Sequence, residues 1–260
     1  MTLTTSNPAF ANQAFQGYEQ VYGASPSTTM TVQGTIGKTF LLLAILSATA
    51  IWSWTSTSAG NNQSILLPAS AIGGFIVALI TIFNPRLSPW TAPVYAAFEG
   101  VFLGMLSFLI ENQMRMRYPD VAAQNPGIVF QAIALTGGTL FCMLTVYTTG
   151  LIKVTERLKA GIVAATGAIA LVYLVSIALR FFGMSIPFIH GAGPIGIGFS
   201  LFVVGLAAFN LLLDFDFIEQ GARNDAPKFM EWYGAFGLIV TLVWLYLEIL
   251  RLLSKLQDRR

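Results

Sequence analysis

Seven apolar stretches, separated by short breaks at Gly, Pro, Asn and clustered charge, dominate the pattern of the chain. They fall at about 38–57, 65–83, 91–111, 128–150, 160–182, 194–213 and 235–253. No charged residue occurs from Thr39 to Pro85, Val121 to Ile152, Ala160 to Leu179, Phe181 to Leu213 or Trp232 to Leu247. A helix of about 20 apolar residues crosses the hydrocarbon core of a bilayer. Backbone amides in hydrocarbon must be bonded within their own segment or in a closed barrel, and these runs are too uniformly apolar for barrel strands alternating with period two. The pattern therefore predicts an all-α membrane protein, a bundle of about seven transmembrane helices over residues 37–260. Residues 1–36 are rich in Ser, Thr, Asn, Gln and Gly, with Glu19 their one charge. They lack the basic start and apolar core of a cleavable signal peptide, and read as a flexible polar tail.

Composition agrees with that pattern. Hydrophobic residues make up 55% of the chain and charged residues 10%, against about 25% charged in a soluble domain. The lipid bilayer is thus the first partner, and the chain is expected to be a multi-pass membrane protein. A net charge of +2 leaves no broad basic surface for nucleic acid. Cys142 is the single cysteine, so the chain can build neither an internal disulfide nor a thiolate metal site. His190 is the single histidine, which excludes a metal protease built on paired histidines. No Gly-x-Ser-x-Gly elbow or Gly-rich phosphate loop is present, nor the Gly-x-Gly-Asp setting of an intramembrane aspartyl protease. The expectation is a protein that is not an enzyme and has no resident cofactor.

Lys and Arg do not decide the orientation. With the N-terminus inside, Lys38, Arg86, Lys153, Arg157, Lys159, Arg223 and Lys228 balance Arg115, Arg117, Arg180, Arg251, Lys255, Arg259 and Arg260. A re-entrant last segment would break the tie, so a spanning and a re-entrant version both stand. Ala96, Gly100 and Gly104 form a small-residue stripe that reads as a packing seam. Gly191, Gly193, Gly196 and Gly198 crowd the start of the sixth segment around Pro194, where they mark flexible or close-packed backbone.

Candidate chemistry lies in acids placed where acids are expensive. Glu99 sits in the middle of the third segment, and Glu248 lies deep in the seventh, within Trp244-Leu-Tyr-Leu-Glu-Ile-Leu-Arg251. An ionised side chain at the bilayer centre costs about 2.5–3.5 kcal/mol by insertion scales, so such residues face a bundle interior or a wet cavity. The plainer reading of Glu248 is a local pair with Arg251, and of Glu99 a neutral carboxyl bonded to a neighbouring helix. The sixth segment ends in Asn210-Leu-Leu-Leu-Asp214-Phe-Asp216-Phe-Ile-Glu219-Gln220. Asp214 and Asp216 point to different faces, and Asp216 is the better placed to share one with Glu219 or Gln220. A short turn returns the chain into the seventh segment, so Asp216 and Glu248 are expected to face one another. Two carboxyls that meet in a low-dielectric space cannot easily both ionise and titrate as a unit, which makes a proton sensor. Deprotonated, Asp216 and Glu248 would be hard oxygen ligands for a cation such as calcium. Arg86, in the corner between the second and third segments, is a candidate counter-ion; a bland loop charge is the alternative.

Several of these segments resemble the Bax inhibitor-1 family. The C-terminal signature is similar in Leu-Leu-Leu-Asp-Phe-Asp-Phe-Ile-Glu-Gln, Tyr-Gly-Ala-Phe-Gly-Leu and Leu-Tyr-Leu-Glu-Ile-Leu-Arg-Leu-Leu, and the third segment resembles the family's Glu-Gly helix at Glu99-Gly100. The resemblance runs from about Lys38 to Leu256, and the polar tail and the Met-Glu-Trp-Tyr hairpin look like a bacterial branch. It implies a bundle around a central C-terminal helix, an inside N-terminus and a pH-dependent calcium leak, with calcium and protons as the ions handled. It also implies that Asp216 and Glu248 are the two sensor acids, Glu248 standing where Asp is usual, and that Arg86 is the latch. The acid that some members carry in the second helix is missing between Ser64 and Pro85. Two other classes use the same features: a regulatory protein that binds a membrane partner such as a protease, and a proton-coupled transporter.

Overall fold

The structure, a computed structural model, describes residues 28–60, 65–119, 127–183, 191 and 193–259. His190 and residues 1–27 of the expected tail lie outside the described residues. Seven helices follow in order: α1 Val32–Ser58, α2 Leu66–Phe83, α3 Ser88–Arg117, α4 Ile128–Thr148, α5 Glu156–Phe181, α6 Pro194–Arg223 and α7 Met230–Asp258. A short 3-10 turn, Pro85–Leu87, joins α2 to α3. All seven are long and apolar enough to cross a membrane. The chain is a multi-pass α-helical membrane protein.

Most helices overrun the apolar segments that predicted them. Apolar run length measures the hydrocarbon thickness, whereas a helix continues into the polar interface: α3 carries Arg115 and Arg117 in its last turn, and α6 continues through Asp214, Asp216 and Glu219 to Arg223. The first helix begins at Val32 rather than 38, because Thr31 caps it by accepting from Gly34 N at 3.0 Å. Met30, just before it, is buried, so the polar tail expected through residue 36 gives way to packed chain by Met30.

The last helix has the length that the spanning version requires. It is one continuous 29-residue helix, long enough to span. Its far end meets the start of α6, where the Lys255 ammonium donates to the Gly196 carbonyl at 3.0 Å. It is also the central helix: 61% of its most apolar window is buried, against 11–39% for the others. It packs on α1, α3, α4 and α6, while α2 lies outside against α3 and α5 outside against α6.

Lipid tails are as apolar as leucine, so close backbone approach and internal polar contacts hold such a bundle. The stripe supplies the approach. A Cβ on Gly100 would collide with Thr49 and the Leu46 carbonyl of α1, and one on Gly104 with Ser53 and the Ala50 carbonyl. Ser53 Oγ, no longer held off, donates to Val101 O at 3.0 Å. Between α6 and α7 the chain reverses through Asp225, whose φ of 49° lies in the left-handed region that Asp tolerates. An isolated bridge, Thr29 with Pro227, ties the chain before α1 to this turn.

Candidate functional site

Register along the helices sets the depth of each acid. Parallel α3 and α7 are joined near one membrane face by Ser88 Oγ donating to Phe229 O at 3.0 Å, and further along by Ser107 and Tyr246 hydroxyls at 2.6 Å. Glu99, about eleven residues beyond Ser88, is therefore about 16 Å in and level with the stretch around Ile239. Antiparallel α6 brings Asp214 to about the same level, with its Oδ1 3.9 Å from the Cβ position of Gly237 and its carboxyl near Thr241. Glu99 and Asp214 are thus two acids held inside the bundle at about one level.

Asp214 is the acid of α6 that turns to the central helix. Its Oδ2 is buried and has no hydrogen-bond partner. Gly237 and buried Thr241 of the central helix lie beside it. Glu99 lies near the Tyr95 hydroxyl one turn back and 3.2 Å from the Cβ position of Gly74 on α2. Tyr95 in turn meets Phe236 of α7 edge-on, with centroids 5.0 Å apart.

The expected meeting of Asp216 with Glu248 does not occur. Asp216 turns toward α5, where Lys159 Nζ lies 2.8 Å from its Oδ2 and Gln220 donates at 2.5 Å. Glu248, 2% exposed, is about eleven residues past Gly237 and so about 16 Å further along α7. There its Oε1 accepts from the Tyr173 hydroxyl at 2.8 Å and from Arg251 Nη1 at 2.9 Å. The local pair with Arg251 was the plainer reading, and it is the one formed. The helical offset of two residues is the reason: when Asp214 faces α7, Asp216 is turned well away from it. Asp216 and Glu248 therefore do not form a joint pair of metal ligands. Arg86 is exposed in the 3-10 turn near the face where α3 begins. Among the described residues there is no group of three His, Cys, Asp or Glu able to hold a metal ion.

Three polar clusters had no counterpart in the sequence reading. Glu231, fully buried, accepts from Thr31 N at 2.9 Å, Thr31 Oγ1 at 2.8 Å, Lys228 Nζ at 2.8 Å and Lys38 Nζ. Gly34 makes its room, since a Cβ there would collide with the Glu231 carboxylate. Lys255, buried at 5% exposure, bonds Ser200 Oγ at 2.8 Å besides Gly196 O, so buried Gly196 is closely packed while Gly193 and Gly198 face open space. Glu111, 6% exposed, accepts from Arg115 Nε at 2.9 Å and Val129 N at 3.3 Å. The signal for Glu231 was an acid in the first turn of a helix, where the dipole favours it. Its partner Lys38 lies some 193 residues away in the chain, which no local pattern shows.

Seven helices long and apolar enough to cross a membrane, the C-terminal one buried among the others, with acids held inside the bundle, define a polytopic membrane protein. Residues 7–258 match the Bax inhibitor 1 like family, and the chain belongs to that family. Comparison with curated proteins and with solved structures gives no match.

Proposed function

We propose that the protein is a proton-gated leak pathway for calcium in the cell (inner) membrane, a conduit rather than an enzyme, with Asp214 as its sensor acid. The observation that carries this reading is the Asp214 carboxyl: buried against the central helix beside Gly237, with an oxygen that has no hydrogen-bond partner. Protonation changes what such a group can do. A neutral carboxyl can donate a hydrogen bond, whereas a carboxylate only accepts and attracts a cation. Calcium takes carboxylate, hydroxyl and carbonyl oxygens, and Asp214 with Thr241 offers the first two at one level. Glu99, at the same depth, is the second acid of the path. Arg86 is a candidate counter-charge at the face where α3 begins. Asp216 and Glu248 are assigned to structural ion pairs instead, because Lys159 and Arg251 already neutralise them.

Calcium flux into liposomes carrying the purified chain, measured between about pH 5 and pH 8, tests the reading. Flux that depends on pH and runs only down the gradient is expected. Concentrative uptake would make the protein a transporter, and absence of flux at every pH would move the assignment to a regulator of another membrane protein.

A further inference from the structure

We propose that the groove between α1, α3, α4 and α7 is a binding site for one membrane phospholipid, seating an acyl chain with the lipid phosphate at Arg115. The groove has a cavity volume of about 710 Å³ and an almost wholly apolar wall, including Leu46 and Trp54 of α1, Leu103 of α3, Ile133 of α4 and Leu242 of α7. It exists because α1 and α4 both pack on the central helix without packing closely on one another. Its rim faces the hydrocarbon: Ile51, Phe130 and Ile133 are exposed beside the opening.

Dimensions select the occupant. From Leu43 to Trp54 the groove runs along about eleven residues of α1, about 16 Å. That is the depth of one leaflet of a core about 30 Å thick, which is what one acyl chain fills. A second helix, about 10 Å across with its side chains, needs a larger channel.

The polar end fits a headgroup. Glu111 and Arg115 line the groove where α3 ends, at the depth where basic side chains meet the interface. Glu111 takes Arg115 through Nε, which fixes the guanidinium beside the mouth. Among the described residues no bond to the terminal nitrogens of Arg115 is seen, and its side chain is 59% exposed. A planar guanidinium held in this way presents its remaining donors to a phosphate. The lipid would touch the central helix at Leu242, Val243 and Tyr246, on another side from Thr241, so its site is separate from the Asp214 carboxyl.

Native mass spectrometry of the full chain in detergent, titrated with dioleoylphosphatidylglycerol, tests this. The unaltered protein should bind a first lipid about tenfold more tightly than later ones, a difference of about 1.4 kcal/mol. Gly137→Phe places a ring in the groove at a position where a Cβ meets nothing within 4 Å, and should remove the tight site. Arg115→Gln should weaken it several-fold. Gly161→Phe, at an equally open position on α5 outside the groove, should leave it unchanged. A tight site that survives Gly137→Phe, or no tight site in the unaltered chain, overturns the proposal. A dimer that Gly137→Phe converts to monomer, with lipid binding unchanged, would give the groove to a second copy.

Discussion

Asp214 and Thr241 face one another across the interface of α6 and α7, while Asp216, two residues on, turns to Lys159 of α5. The central helix therefore meets one buried acid on α6 rather than an acid pair. Its partner is a hydroxyl, which can donate to the carboxylate or accept from the neutral acid.

The Glu231 cluster should be the main clamp at the face where α7 begins. Glu231→Leu leaves Lys38 and Lys228 facing a buried site without their carboxylate, and breaking a buried pair on one side costs about 3 kcal/mol. Thermal unfolding in detergent should show a clear loss of midpoint. Lys38→Met added to Glu231→Leu should recover part of it, because one uncompensated charge is gone. A double variant no better than the single would argue against the clamp.

The seam between α1 and α3 predicts a contrast among glycines. Gly100→Leu drives a side chain into Thr49 and the Leu46 carbonyl, with an expected cost of about 3 kcal/mol or failure to assemble. Gly167→Ala, where a Cβ meets nothing within 4 Å, should change stability by less than about 0.5 kcal/mol. Size-exclusion profiles and unfolding midpoints of the two variants check the contrast, and equal behaviour would contradict it.

Glu248, Arg251 and Tyr173 should behave as one unit. Tyr173→Phe removes a single hydrogen bond from Glu248 at about 1 kcal/mol. Arg251→Leu costs more, about 3 kcal/mol, because it leaves the buried carboxylate without its cation. The double variant Glu248→Leu with Arg251→Leu should then be less destabilised than the sum of its single changes. Additive losses would show that the two side chains act separately.

The seven helices were legible because each contains an apolar run matched to the membrane, and a run of that length admits no other secondary structure in lipid. Their ends were not, since Arg223 or Asp258 can lie on a helix without being in hydrocarbon. The buried acids were legible as a set for the same energetic reason. Choosing between Asp214 and Asp216 needed the register of α6 against α7, set by the turn at Asp225 and visible only once Gly237 and Lys255 find their partners. The alternative pairing of Glu248 with Arg251 was readable from spacing alone, because both residues lie one turn apart on a single helix. The Glu231 clamp stayed hidden because, although Lys228 is a local neighbour, its other donors Thr31 and Lys38 lie on a chain segment that only folding brings near.

The most direct test of the central claim compares Asp214→Asn with Asp216→Asn in the liposome calcium-flux assay across the same pH range. Asp214→Asn should abolish the pH dependence of the flux, and Asp216→Asn, which alters an ion pair with Lys159, should leave the titration in place. Loss of titration in Asp216→Asn with Asp214→Asn unaffected would contradict the assignment of the sensor to the interface of α6 with the central helix.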